Sequence, residues 1–346
     1  MKYKFYTTSE KAWLAMLENI KDAKHSVYLE SFILTDDSQT HNFFETLKQK
    51  AQSGVKVKII VDQVGNLWAG SINKMEFEKA GAEVLIFNRW FYRTHRKILI
   101  VDEEVGFIGG VNIKGEYADW LDLHLKVTGR IVRSLLKSFS RIYHLSGGKD
   151  NLLLSLRKHS NTRAAFYKAK LWLIERWPLR GKSALRHYYK KKCAETVNSI
   201  VIVTPYFTPH RWLISALHRA AKRGVKVDVI LPKRTDVWLS DAANYTYADV
   251  LSNDLKFWFI PEMNHAKVLL VDNREGLIGS NNIDAQSFDI NLEASVVFRR
   301  KDMVGDLMKI VDRWRKMAIP FENLRHQLKW YHRFFGFFVR LLQPIL

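Results

Sequence analysis

The sequence contains one cysteine and no long apolar run. Because Cys193 has no second cysteine to pair with, an intrachain disulfide and a cysteine-based metal cluster are excluded, and a reducing compartment fits best. No stretch reaches the roughly 18 to 20 apolar residues that a spanning helix needs, so any membrane contact is expected from one side. The N-terminal residues lack the basic start and apolar core of a signal peptide, which leaves export unsupported.

Acidic residues are in deficit, with 35 Asp and Glu against 55 Lys and Arg and a net charge of +20. This balance favours a polyanionic partner, either nucleic acid or an anionic lipid surface, and does not distinguish between them. The chain has 346 residues and is 47% hydrophobic, so it is long enough for two domains or for one domain built from two large halves.

The chain carries an internal repeat with an offset of 170 positions. Residues 51–62 match 221–232, and residues 95–113 match 265–283, with no gap between the two blocks. Each copy has a β-rich run, a helical stretch and a second β-rich run. This order predicts two α/β halves that pack about a pseudo-twofold axis, with the active site where they meet.

The repeat is interrupted at residues 146–196. Residues 151–192 contain twelve Lys or Arg and one acid, Glu175, interleaved with aromatic residues. Two interpretations of this segment remain open. It is either a solvated basic helical hairpin that covers one lobe or an element that contacts phosphate or a membrane.

One pattern, His-x-Lys-x4-Asp, occurs in both copies. Its members are His95, Lys97 and Asp102, and then His265, Lys267 and Asp272. Residues two apart on a strand point the same way, so each His and Lys are expected to face one pocket. Lysine supplies positive charge for phosphate oxygens, and histidine can attack phosphorus or carry a proton near neutral pH.

Small residues and an asparagine follow each pattern. Gly110 and Asn112 in the first copy correspond to Ser280 and Asn282 in the second. Small residues let backbone N–H groups approach an anion, and an asparagine amide can donate to a phosphoryl oxygen. All four positions are therefore predicted to bind substrate phosphate.

A carboxylate follows each histidine at nearly the same interval. Asp122 stands 27 residues beyond His95, and Glu293 stands 28 residues beyond His265. We expect each histidine to bind the carboxylate of its own copy through the ring nitrogen that faces away from substrate, which fixes the tautomer. The alternative is that both are ordinary acids on edge strands.

These motifs resemble the phospholipase D superfamily, and the likeness extends from about Ser26 to Val297. The strings THRKILIVD, GGVNIKGEYADW and GSNNIDAQSFDINLEA are similar to those of bacterial cardiolipin synthases, of the shorter type without transmembrane helices before the first repeat. The resemblance implies an α/β fold of two phospholipase D-like lobes with a shared interface active site. It also implies that neither a metal nor a cofactor is needed.

The resemblance further implies a two-step reaction through a phosphohistidine. We expect His95 to be the nucleophile and His265 the acid and base, although the pattern supports the pair more firmly than this assignment. The lysines and asparagines would hold the phosphoryl charge, while Asp102 and Asp272 organise the pocket.

The predicted reaction is phosphatidyl transfer between two phosphatidylglycerol molecules, which gives cardiolipin and glycerol. The alternative is a phospholipase D-type phosphodiesterase or nuclease acting on DNA or RNA, which the charge of +20 would serve equally well.

The C-terminal residues predict an amphipathic helix. Four basic residues fall on one stripe opposite an aromatic arc, namely Arg325, Lys329, Arg333 and Arg340. This pattern suits the headgroup region of an anionic membrane, and the alternative is a helix that docks on the protein's own core. The protein is thus expected at the cytoplasmic face of the cell membrane, bound peripherally.

The predicted organisation has four parts. A first lobe spans 1–145, a basic aromatic helical insertion spans 146–196, a second lobe spans 197–318, and a membrane-contact helix spans 319–346.

Overall fold

The fold is described from a computed structural model. The described residues are 1–36, 41–67, 72–89, 91–157, 170–178, 183–328, 330 and 334. They form two α/β lobes, each built on one mixed sheet with helices on both faces. This agrees with the fold class predicted from the repeat.

The first lobe is built around a seven-stranded sheet with strand order β1-β7-β6-β5-β2-β3-β4. Strands β2, β3 and β4 are parallel, and the other pairings are antiparallel. Its elements are β1 (Tyr3–Thr8), α1 (Ser9–Asp22), β2 (Ser26–Ser31), α2 (Phe43–Gln52), β3 (Lys56–Asp62), α3 (Gln63–Leu67), α4 (Lys74–Lys79), β4 (Glu83–Phe87), β5 (Ile98–Val101), β6 (Val105–Gly109), a 3₁₀ turn (Gly115–Tyr117), β7 (Leu121–Thr128) and α5 (Arg130–Leu145).

The second lobe repeats this sheet and adds one short strand, in the order β15-β11-β10-β9-β12-β13-β14-β8. Helix α6 (Asn151–Leu156) lies between the lobes in sequence and packs on α5. The elements that follow are β8 (Leu171–Arg176), α7 (Ala184–Glu195), β9 (Ser199–Val203), α8 (Arg211–Lys222), β10 (Lys226–Pro232), α9 (Trp238–Leu251), β11 (Lys256–Ile260), β12 (Val268–Val271), β13 (Glu275–Gly279), a π-helical turn (Gln286–Ile290), β14 (Glu293–Phe298), α10 (Lys301–Met317), β15 (Ile319–Pro320), α11 (Phe321–Leu324) and a 3₁₀ turn (Arg325–Gln327).

The strands that follow the two histidines are apolar on both faces. Both β5 and β12 are buried at every position, because alternate side chains enter different cores. Ile98 and Ile100 share a central core with Val268 and Leu270, where α5 and α10 also pack between the sheets. One apolar core therefore joins the two lobes, and the histidines lie at its edge.

The predicted helical insertion at 146–196 is wrong in two respects. Residues 171–176 form a strand, β8, which pairs with β14 just as β1 pairs with β7 in the first lobe. Helix α7 then takes the place of α1. The second lobe therefore begins at β8, because the sheet needs an edge strand beside β14 and the sequence supplies it before the recognisable repeat.

The predicted membrane helix at 319–346 also begins too early. Residues 319–324 form β15 and α11, and the side chains of Phe321 and Leu324 are buried in the second lobe. Beyond residue 328 only Trp330 and Phe334 are described, and they are 77% and 50% exposed. The rest of the predicted helix lies outside the described residues. Among those that are described, no helix is long and apolar enough to cross a bilayer.

Candidate active site

Two sets of backbone hydrogen bonds, which we call seams, cross the boundary between the lobes and position both histidines. The N–H of His95 donates to the carbonyl of Leu292 at 3.1 Å, and the N–H of Leu292 donates to the carbonyl of Arg93 at 2.8 Å. In the second seam, the N–H of His265 donates to the carbonyl of Leu121 at 2.7 Å. Each histidine therefore sits beside the strand that carries the carboxylate of the opposite lobe.

The histidine and carboxylate pairs are exchanged between the lobes. His95 Nδ1 lies 3.1 Å from Glu293 Oε1, and His265 Nδ1 lies 2.8 Å from Asp122 Oδ2. The expectation that each histidine binds the carboxylate of its own copy is wrong, because the seams bring the opposite strands together. With Nδ1–H donating to a carboxylate, Nε2 of each ring keeps its lone pair.

Both rings open onto one cavity of about 340 Å³ between the lobes. Asn112 and Asn282 also line it, and the side-chain oxygen of each makes no hydrogen bond to the described residues. Two imidazoles and two amides from opposite lobes therefore converge on one space. This arrangement suits substitution at phosphorus, in which the nucleophile attacks from one side and the leaving group departs from the other.

Burial controls the protonation of the two histidines. It lowers the pKa of His95 to about 4, with the charge of Lys97 acting in the same direction and Glu293 opposing both. Burial and Lys267 likewise lower the pKa of His265 against the effect of Asp122. Both rings are therefore neutral at pH 7, and their Nε2 atoms can act as nucleophile or base.

The two lysines lie behind the histidines. Lys97 Nζ donates to the carbonyl of His95 at 2.6 Å, and Lys267 Nζ donates to the carbonyl of His265. Burial lowers the pKa of Lys97 to about 7 and that of Lys267 to about 8. An anion in the cavity would favour the charged form of both lysines.

Gly110 and Ser280 support the carboxylates instead of reaching the cavity. Their backbone N–H groups donate to carbonyls of the adjacent strand, at 3.0 and 3.1 Å. A Cβ at Gly110 would come within 2.2 Å of Asp122 Oδ1, and the hydroxyl of Ser280 donates to Glu293. The predicted phosphate contact at both positions is therefore corrected, since neither residue lines the cavity.

Asp102 and Asp272 also lie outside the cavity. Each carboxylate accepts three backbone N–H groups, from residues 24–26 at 2.7–2.9 Å and from residues 197–199 at 2.7–3.1 Å. Partial burial acts to raise the pKa of each aspartate, but the three N–H donors outweigh it, and the pKa of both aspartates is lowered. The expectation that they organise the pocket is corrected, because they cap the strand that enters each sheet.

A buried ion network behind His95 was missed from the sequence. The guanidinium of Arg96 lies 3.1 Å from Glu30 and 3.4 Å from Glu175, and it donates to Ser138 Oγ at 2.5 Å. Thr94 Oγ1 donates to the other oxygen of Glu30 at 2.5 Å. The sequence signal for this network is the arginine between the His and the Lys of the motif, directly before a buried strand. Its side chain must point away from the pocket that the neighbouring His faces.

In the described part of the chain, no group of three or more His, Cys, Asp and Glu side chains is arranged to hold a metal ion.

A duplicated α/β unit that places two carboxylate-bonded histidines on one cavity defines a class of phosphodiester-transfer proteins. The family model described as "Cardiolipin synthase, PLD-like domain" matches residues 16–142 and 190–315, more than half of the chain. The chain therefore belongs to this family. The second match starts within α7 and the first within α1, which agrees with a second lobe that begins before residue 197.

Similar proteins cover nearly the whole chain. A protein named cardiolipin synthase from Halalkalibacterium halodurans is 29% identical, over 99% of this chain and 72% of its own length. Cardiolipin synthase 2 from Bacillus anthracis is 28% identical, over 98% of this chain and 70% of its own. The crystal structure of phosphatidylserine synthase from Haemophilus influenzae Rd KW20 has the same fold, with a TM-score of 0.77, 16% identity, and coverage of 99% of this chain and 95% of that chain.

Proposed function

We propose that this protein is a phosphatidyltransferase that converts two molecules of phosphatidylglycerol into cardiolipin and glycerol through a phosphohistidine. One observation carries the proposal: the rings of His95 and His265, each bonded to a carboxylate of the opposite lobe, line a single cavity. The names of the similar proteins supply the substrate class.

In the first step, Nε2 of His95 forms a bond to phosphorus while the bond from phosphorus to the glycerol oxygen breaks. His265 takes up a proton from solvent when the substrate binds, and the departing oxygen takes this proton from Nε2 of the imidazolium. The phosphodiester anion and Asp122 together favour the imidazolium form of His265. His95 is suited to attack, since its low pKa keeps it neutral.

In the second step, the primary hydroxyl of another phosphatidylglycerol attacks the phosphohistidine. Its proton passes to Nε2 of His265, the new P–O bond forms, and the P–N bond to His95 breaks. Both histidines thereby return to their starting forms. The phosphoryl charge in each step would be held by Asn112 and Asn282, which line the cavity, while Lys97 and Lys267 add positive charge from behind the histidines.

The protein is also proposed to bind peripherally to the cytoplasmic face of an anionic membrane. The net charge of +20 and the exposed Trp330 and Phe334 rings support this proposal. Truncation after residue 328 should weaken sedimentation with phosphatidylglycerol vesicles without lowering the melting temperature. Equal sedimentation of both forms would show that the segment does not contact lipid.

The test of the reaction is direct. The purified chain is incubated with phosphatidylglycerol vesicles in the presence of EDTA, the lipids are separated by thin-layer chromatography, and released glycerol is measured. One cardiolipin per glycerol is expected. A parallel incubation with DNA and RNA tests the alternative, and cleavage of nucleic acid without any lipid product would support a nuclease instead.

A further inference from the structure

The cavity wall is chemically different on its two sides. Both lobes line it with apolar and aromatic groups such as Trp120 and Tyr206, but the first lobe adds Arg93, whereas the second adds Asp236 and Asp284. A carboxylate repels a phosphodiester, so neither acid is suited to hold the phosphoryl group. Both acids can instead accept hydrogen bonds from hydroxyl groups.

Asp284 is held in a fixed position on this wall. Its Oδ1 accepts the backbone N–H of Ser287 at 2.6 Å, at the start of the π-helical turn. Burial raises the pKa of Asp284 to about 6, with the charge of Glu293 adding to that effect and hydrogen bonds from Ser287 and Asn282 opposing it. The carboxyl is therefore ionised at neutral pH and faces a cavity that also contains both catalytic rings.

The internal repeat shows that the fold does not demand a carboxylate here. The residue at the same position of the first copy is Lys114, which follows Asn112 as Asp284 follows Asn282. The ammonium of Lys114 pairs with Glu116 and lies outside the cavity lining. The charge is thus reversed between the copies at a position that lines the cavity in only one of them.

Asp236 lies on the same side as His265. It accepts a hydrogen bond from Tyr206 Oη at 2.5 Å, and the Tyr206 ring centroid lies 6.3 Å from that of His265. Burial lowers the pKa of Lys267, and the charges of Asp236 and Asp284 are among those that oppose this effect. The two acids therefore flank the half of the site in which the alcohol gains or loses its proton.

We propose that Asp284, assisted by Asp236, binds the vicinal hydroxyls of a glycerol headgroup and thereby selects a polyol as the leaving and accepting alcohol. This inference rests on the proposed phosphatidyl transfer. A site built to accept hydroxyl hydrogen bonds discriminates strongly against an alcohol that lacks them, because its buried acceptors are then left unpaired. The apolar groups that both lobes contribute to the cavity remain for the apolar part of the lipid.

The test compares two donor lipids, phosphatidylglycerol and phosphatidylpropanol, whose headgroup has no free hydroxyl. Release of the headgroup alcohol is measured with wild type, Asp284→Ala and Asp284→Asn, with the same excess of 1-butanol supplied as the acceptor in every reaction. The measured ratio is kcat/KM for phosphatidylglycerol divided by kcat/KM for phosphatidylpropanol. In Asp284→Ala this ratio should fall about 10- to 100-fold. Asp284→Asn keeps an oxygen for the Ser287 N–H, so it should remain folded and show a smaller fall.

The matched control is Lys114→Ala, at the equivalent position of the other copy, for which the ratio should equal that of wild type. A second arm supplies glycerol and 1-propanol together as competing acceptors, and product preference should shift by a similar factor. If both donor lipids lose activity equally, or the ratio does not change, the polyol assignment is overturned while phosphatidyl transfer stands. If wild type turns over neither lipid, the proposed function itself fails.

Discussion

The two lobes share one sheet topology but support their histidines in different ways. In the first lobe, Arg96 follows His95 and pairs with Glu30 on the neighbouring strand. The equivalent positions of the second lobe are Ala266 and Val203, both buried and apolar. The histidines and asparagines that face the cavity are duplicated, whereas the layer beneath the histidines is ionic in one lobe and apolar in the other.

The ionic layer also connects the lobes. Arg96 reaches Glu175 on β8, which belongs to the second lobe, and Arg141 of α5 pairs with the same carboxylate. The two copies therefore agree in the histidines and asparagines of the cavity and differ in the layer that supports the histidines. Equivalent substitutions of the paired histidines and carboxylates should therefore have matching effects on transfer, and substitutions in the layer beneath the histidines should have unequal effects on stability.

The largest effect is expected from His95→Ala and His265→Ala. Each should lower transfer at least about 1000-fold, because each ring serves a step that the other cannot. Circular dichroism should show an intact fold, and His218→Ala, at a histidine that does not line the cavity, provides a control. A p-nitrophenyl leaving group needs no proton on the departing oxygen. With a donor lipid that carries this group, the phosphohistidine should form in His265→Ala and not in His95→Ala. Formation of a phosphohistidine in His95→Ala instead would show that His265 is the nucleophile and His95 the acid and base.

Asp122→Asn and Glu293→Gln should each lower transfer roughly 10²- to 10⁴-fold, by disturbing the tautomer and charge of the attached histidine. The exchanged pairing makes a sharper prediction. Asp122 is bonded to His265, so the p-nitrophenyl donor should restore the first half-reaction of Asp122→Asn. Glu293 is bonded to His95, so Glu293→Gln should stay impaired with the same donor. Rescue of Glu293→Gln alone would contradict the pairing. The exposed Asp119→Asn is the control.

Arg96→Ala should lower the free energy of unfolding by about 3 to 5 kcal/mol, since it leaves the buried carboxyl of Glu30 without its ion pair. Adding Glu30→Val reproduces the apolar pair of the second lobe and should recover a large part of this loss. Urea unfolding of the two variants at pH 7 measures the difference. Equal stability of the single and double variants would show that the ion pair is not what Arg96 contributes.

Asp102→Ala and Asp272→Ala test a feature that the lobes share. Each removes an acceptor of three backbone N–H groups, so each should cost about 1 to 3 kcal/mol of stability. The losses should be similar in the two lobes, and the remaining folded protein should retain most of its activity. Thermal melting together with activity per folded molecule distinguishes this structural role from a catalytic one.

The smallest effect concerns pH and His124, whose place in the second lobe is taken by Ser295. Burial lowers the pKa of His124 from 6.5 to about 4, with Lys97 acting in the same direction against Asp122. The unfolded chain therefore binds a proton first as pH falls, and the stability present above pH 6.5 is lost toward pH 4. His124→Ser should reduce the fall in unfolding free energy between pH 7 and pH 5 by about 1 to 2 kcal/mol.

Much of the architecture was predictable from local pattern. The repeat at an offset of 170 places equivalent strands in equivalent sheets, because apolar periodicity and turn residues act over short distances. Strand β8 escaped detection since it precedes the aligned blocks and shares little sequence with β1. The opening strand of a lobe needs only to fit an edge, and many sequences can do so.

The sequence by itself determined that the fold is duplicated and that each copy carries a histidine, a lysine, an asparagine and a nearby acid. Only the tertiary structure decided that Glu293 serves His95, that Asp122 serves His265, and that Asp102 and Asp272 hold strand ends away from the cavity. The physical reason is that spacing along a chain sets which face a residue occupies. Which opposite face it meets is decided when two apolar sheets pack together.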